Sequence, residues 1–173
     1  KTDDPLVYSV LLSCISSLFV FLSMSASGNV AVNGGQLLLQ VLKKIFDAIV
    51  FNLPTEDPNS VRSAAVKNLK RHAASSIVKI ALKYPLLLLS TFDQIDNHIK
   101  TLCNTESSLS SMEKLLLQES LLIISNHFCE FERQQQFIGE IIRPAVQMWQ
   151  NLSHNLKAAS AFMEYIGLSS KPL

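Results

Sequence analysis

The sequence predicts an all-α fold of stacked helix pairs, an α-solenoid, and three observations carry that expectation. Apolar side chains recur at helical spacing in one segment after another, with no sustained strand alternation. Glycine and proline are scarce, 5 and 6 in 173 residues, so long uninterrupted elements are expected. Helices come as a long member followed by a second one, with first members beginning near residues 5, 58, 109 and 156, a period of about 50 residues. In such an array each unit buries its apolar surface on its neighbours. The expected repeats cover roughly 4–54, 57–104 and 107–154, with the next starting near 156. Residues 1–173 then read as one segment of a larger array, and a chain that begins at Lys1 rather than Met agrees with an excerpt.

The first element is the greasiest. After Asp4 no charge occurs until Lys43, and the 19 residues Leu6 to Met24 are enough to cross a bilayer. Ser9, Ser13, Ser16 and Ser17, however, fall on one helical face, opposite Leu6, Val10, Leu11, Ile15, Leu18, Phe19 and Leu22. No basic cluster flanks the run, as topology signals usually do. A helix covered by its partner and by adjacent repeats needs the same composition, so a buried helix and no membrane insertion are expected.

The next helix is QLLLQVLKKIFDAIVF, preceded by Gly34-Gly35 and ending near Pro54. Asp57-Pro58-Asn59-Ser60 carries start signals for VRSAAVKNLKRHAASSIVKIALKY, which runs to Pro85. Phe92, Ile95, Ile99 and Leu102 mark a short amphipathic helix. Ser107-Ser108-Leu109 opens another, with Met112, Leu115, Leu116, Leu122 and Ile123 expected on its apolar side. Gln134 to Leu152 follows, and Pro144 is expected to kink or break it. Leu156 to Ile166 reads as a last helix, stopped by Gly167.

Composition bounds the function. Apolar residues are 48% and charged ones 17%, below the roughly one quarter usual in soluble domains. The net charge of +1 says nothing about partners, so any electrostatic signal is local. Cys14, Cys103 and Cys129 are odd in number and widely spaced, which implies no disulfide framework and favours a reducing compartment. Asn151-Leu152-Ser153 fits a glycosylation sequon, a triplet that arises by chance. No phosphate-cradling loop, GxGxxG or nucleophile elbow occurs. His127 with Cys129, and His98 with Cys103, match no closed zinc spacing. Glu130 and Glu132, beside Arg133, read as a solvated helix end. The expectation is a non-enzyme with no metal or cofactor.

The informative feature is a charge asymmetry. Residues 59–83 hold Arg62, Lys67, Lys70, Arg71, Lys79 and Lys83 and no acid. Lys67, Lys70 and Arg71 fall at i, i+3 and i+4, with His72 adjoining. Such a group neutralises phosphates without reading sequence, or it is a solvated face balanced by neighbouring helices. Lys43, Lys44 and Lys100 lie on second helices of their pairs, which line one common surface in a superhelix and extend the track.

The blocks DPLVYSVLLSCISSLF, VKNLKRHAASSIVKIALKYPLLLL, FDQIDNHIKTL, MEKLLLQESLLIISNHF, ERQQQFIGEIIRPAVQMW and AFMEYIG resemble, in order and spacing, the central region of a nuclear export receptor of the importin-β (karyopherin) family. SASGNVAVNGGQ departs from the pattern as a longer connection. The resemblance implies HEAT repeats, each an outer A and an inner B helix. It implies GTP-bound Ran and nucleoporins as partners, and double-stranded RNA hairpins, the precursors of microRNAs, as cargo shuttled from nucleus to cytoplasm. GTP would be held by Ran rather than by this chain. The RNA-contact candidates are Lys43, Lys44, Lys67, Lys70, Arg71, Lys100 and His127, with Asn97, His98 and Asn126 as further polar side chains. A helical-repeat scaffold that binds protein partners only is the alternative.

Overall fold

The computed structural model describes residues 3–26, 31–52, 61–105 and 109–168. Among them are eight α-helices and no strand: α1 (Pro5–Ala26), α2 (Ala31–Ile49), α3 (Val61–Lys83), α4 (Pro85–Leu89), α5 (Phe92–Thr105), α6 (Ser111–Ser125), α7 (Phe131–Leu156) and α8 (Ala159–Tyr165). The fold is all-α, a helical-repeat arrangement. The helices fall into two compact units, Lys1–Cys129 and Glu130–Leu173.

In the first unit α3 is the hub. It packs against α1 on one side, α6 on the other, and α2 beneath. Its middle is therefore buried nearly all round: Leu69, Ala73, Ala74, Ile77, Ile80 and Ala81 are all within the core. Alanines at the crossings let the helix axes approach closely, which larger side chains would prevent. The helices α1, α3 and α6 form one layer. A second layer is made by α2 and α5, whose Phe46 and His98 rings meet edge-on at 4.6 Å.

The opening apolar run packs against the protein along one side only, and Leu6, Val7, Val10, Leu11, Leu18 and Phe21 of α1 are 47–65% exposed, so the burial expected of the whole run is met only in part. Leu12 and Phe19 of α1 are fully buried, and Phe19 packs against the Tyr84 ring at 5.4 Å. Ser9 Oγ is 2.8 Å from His72 Nδ1 of α3, and the Tyr8 hydroxyl donates to the Lys44 carbonyl of α2. Ser13 and Ser17, both exposed, donate back to the carbonyls of Ser9 and Ser13, one turn earlier in the helix. Among the described residues no helix is long and apolar enough to cross a membrane.

Several boundaries differ from the sequence expectation. The glycine pair Gly34-Gly35 lies inside α2, which begins at Ala31; backbone pairing along the helix outweighs the roughly 1 kcal/mol propensity cost of each glycine. The start signal at 57–60 lies outside the described residues. A short helix, α4, intervenes after Pro85, which occupies its first turn, where a missing N–H costs nothing. The helix expected from Ser107 starts later, at Ser111. Its cap is Ser110, whose hydroxyl accepts from the Glu113 N–H while the Glu113 carboxylate accepts from the Ser110 N–H.

The buried side of α6 is also different. Leu117, Leu121 and Ile124 are buried, whereas Met112 and Leu115 are more than half exposed. Ser120 and Ser125 share the buried side because small residues admit the close approach of α3. Their hydroxyls donate to the carbonyls of Leu117 and Leu122.

The second unit pairs α7 with α8. Pro144 does not end α7, which continues to Leu156. Glu130 and Glu132 stand at the start of a helix rather than the end of one, where negative charge complements the helix dipole. After α8, Gly167 adopts φ +77°, and its N–H and that of Leu168 close onto the carbonyls of Glu164 and Met163. This is the glycine stop expected from sequence, in Schellman form.

Candidate nucleic-acid interface

The second-helix face comes first because the sequence directs attention to it. Lys43 and Lys44 project from α2, and Lys100 from α5, all exposed. Packing of α2 on α5 opens a cleft of about 300 Å3 between them. Buried Leu42, Phe46 and Ile95 form its floor, and exposed Lys43, Gln94 and His98 its rim. The cations here have acidic company. Lys44 lies 4.0 Å from Asp47, and Lys100 donates to Asp96 at 2.8 Å. The face is therefore mixed in charge, with an apolar recess at its centre.

His98 is the one imidazole in that recess. Although the residue is exposed overall, its ring rests on Phe46, and loss of water there pushes its pKa below the ordinary value. Asp47 opposes the shift and Lys43 adds to it. The folded state thus favours the neutral ring. What that preference contributes to stability is present above the ordinary pKa of about 6.5 and is lost as the pH falls through the lower folded value. An NMR titration of His98 should give a midpoint under 6.5, raised by Lys43→Gln and lowered further by Asp47→Asn. A midpoint at or above that of a free imidazole contradicts the assignment.

The cations of α3 divide differently than their spacing suggested. Lys67 and Arg71 are exposed, but Lys70 is only 6% exposed and is engaged inside the protein. The three do not share a solvent face, because α3 is a central helix and position 70 turns toward its neighbours. Lys79 and Lys83, farther along, are exposed. Lys83 Nζ sits 5.4 Å from the centre of the Tyr84 ring.

The remaining candidates are scattered. Asn97 and Asn126 are exposed, and His127 is half-buried just past the end of α6. Cys129 follows it with φ 57°, an uncommon conformation for a residue other than glycine. Cys103 is held by burial above the usual thiol range, against the pull of Lys114, whose ammonium donates to the Cys103 carbonyl. Among the described residues no group of three or more histidine, cysteine or acidic side chains is placed to hold a metal. Gln94 escaped sequence reasoning, since only the packing of α5 on α2 brings it beside Lys43.

The profile of the Exportin-5 family matches residues 1–170. The chain belongs to the Exportin-5 family. It is 37% identical over 172 residues to Exportin-5 of Homo sapiens, covering 98% of this chain and 14% of the human protein. Against Exportin-5 of Mus musculus it is 36% identical over 173 residues, covering 99% of this chain and 14% of the mouse protein. A more distant relative is an uncharacterized protein of Schizosaccharomyces pombe, 22% identical over 165 residues, or 95% of this chain and 13% of that protein. The chain thus spans a small part of the length of the Exportin-5 proteins it matches. Membership of the Exportin-5 family fits the two-layer helical packing seen here.

Proposed function

We propose that this chain is a segment of a nuclear export receptor that, together with GTP-bound Ran, carries double-stranded RNA hairpins of the microRNA-precursor kind from nucleus to cytoplasm. The observation that supports the reading is the Exportin-5 family match across residues 1–170. Passage through the nuclear pore would rest on nucleoporins. GTP is Ran's nucleotide in this reading, and the segment binds no cofactor of its own and performs no catalysis. A-form RNA offers phosphates and 2′-hydroxyls on a regular shape and hides its base edges in a deep groove. Exposed cations on a rigid helical wall suit that target. Lys43, Lys44, Lys67, Arg71 and Lys100 are exposed candidates for it, and His127 a half-buried one.

The test is hairpin binding by the full receptor between 50 and 200 mM salt, with and without GTP-bound Ran. Affinity should depend on Ran and fall at least tenfold across that range, since each phosphate contact releases counterions. Binding indifferent to both rejects the proposal. One observation favours the second reading, a scaffold for protein partners alone: two of the three cations on the α2 and α5 face have carboxylates within 4.0 Å. A receptor that binds protein cargo but no hairpin would establish that reading.

A further inference from the structure

We propose that the cleft between the start of α1 and the end of α2 is a docking pocket for an arginine side chain of a protein partner. The inference goes beyond the RNA-transport reading and does not depend on it. The cleft has a volume of about 710 Å3 and opens to water. Asp3, Lys44 and Asp47 stand exposed at its rim, and half-buried Tyr8 and Phe51 form its wall. It shares no lining residue with the recess between α2 and α5.

The charge of the cleft favours a cation. Among the described residues that line it, two carboxylates meet one ammonium. The Lys44–Asp47 pair is long, 4.0 Å, and its side chains are 66% and 47% exposed, so Lys44 leaves much of the Asp47 carboxylate to another donor. Asp47 also sits in the last turn of α2, which holds no basic residue. The carbonyl end of a helix is its negative pole, and Asp47 adds charge of the same sign there. The wall feels this field. Burial raises the Tyr8 phenol above its ordinary pKa, and the Asp47 carboxylate raises it further. A phosphate backbone meets repulsion at such a place.

The wall selects among cations. The Tyr8 and Phe51 rings lie 5.8 Å apart and nearly perpendicular. The Tyr8 hydroxyl donates to the Lys44 carbonyl at 3.0 Å, which holds that ring in place. A planar guanidinium stacks on aromatic faces while its N–H fork takes a carboxylate. An ammonium is a more strongly hydrated point charge and gains less from either contact. Leu11 and Val50 complete the lining and give apolar cover to the methylenes of the arm. Leu11 also belongs to the exposed apolar side of α1, together with Val7 and Leu18. The occupant is therefore a segment that carries apolar side chains beside its arginine. Aromatic anchors paired with arginine are characteristic of protein interfaces.

The experiment measures fluorescence anisotropy of a labelled peptide of alternating leucine and arginine on the full receptor. The control is the same peptide with neutral citrulline in place of arginine. The arginine form should bind about tenfold tighter, since it adds an ion pair and a ring contact. Asp47→Asn should weaken it about fivefold and leave the citrulline form unmoved, and Phe51→Leu should weaken it about threefold. Lys44→Gln should tighten it about twofold by freeing Asp47, whereas Lys43→Gln, the same charge change outside the cleft, should leave it nearly unchanged. Lys44 and Asp47 are exposed, so these substitutions leave the core intact. Equal affinity for parent and Asp47→Asn overturns the inference, as does equal tightening by the two lysine variants. A parent receptor that ignores the arginine peptide, because its own chain fills the cleft, overturns it too. An Asp47→Asn variant that binds hairpin RNA more tightly, with no change for the arginine peptide, gives the cleft to RNA instead. None of these results bears on RNA transport by the receptor as a whole.

Discussion

Replacing Leu117 by alanine should destabilise the first unit by about 2–5 kcal/mol, whereas Leu115→Ala, two residues away, should change stability by no more than about 0.5 kcal/mol. Leu117 is fully buried on the side of α6 that meets α3, and Leu115 is 58% exposed. Removing buried methyl groups loses their transfer energy and leaves a cavity, because the flanking Leu121 and Ile124 sit in a packed layer that relaxes only partly. Urea unfolding of the chain followed by circular dichroism checks the pair. Similar midpoints for the two variants, or a larger loss at Leu115, would mean that α6 is rotated from the orientation described.

Phe19→Ala carries a still larger expected effect, about 3–5 kcal/mol, with Leu18→Ala near neutral as its control. Phe19 is fully buried and its neighbour Leu18 is 57% exposed. The ring contributes its buried area and also a packing geometry against Tyr84, tilted by 35° at 5.4 Å, worth roughly a further 1 kcal/mol. The comparison is a direct test of what the opening run is for. A helix that owes its apolar character to protein packing distinguishes sharply between these adjacent positions. Equal sensitivity of Leu18 and Phe19 would contradict the packing of α1 onto α3 and its connection to α4.

Most helices were legible because their apolar residues stood out against a polar background. In α5, Phe92, Ile95, Ile99 and Leu102 are the four buried side chains that periodicity picks out. The α6 segment SMEKLLLQESLLIIS offers no such contrast. Apolar residues occupy every side of it, so pattern alone could not fix which side faces α3, and two buried serines lay where a polar face would be assumed. The burial of Lys70 has the same origin. Spacing groups it with Lys67 and Arg71, but only the position of α3 between α1 and α6 decides which of the three meets water. Likewise the cleft rimmed by Lys43, Gln94 and His98 exists through contact of residues far apart in the chain. The charge asymmetry of α3 was visible in the sequence. Its contrast with the nearly balanced α2 and α5 face was not, because that balance depends on which carboxylates come within reach of Lys44 and Lys100.

The position of α3 between two flanking helices also limits how the gene can drift in length here. Deleting one residue from the middle of α3 rotates everything after it by about 100°. Such a frameshift of the spiral would carry Lys79 into the buried place of Val78 and push Ile80 out into the exposed place of Lys79. Connections between helices can absorb insertions and deletions, but this rod has to keep its count.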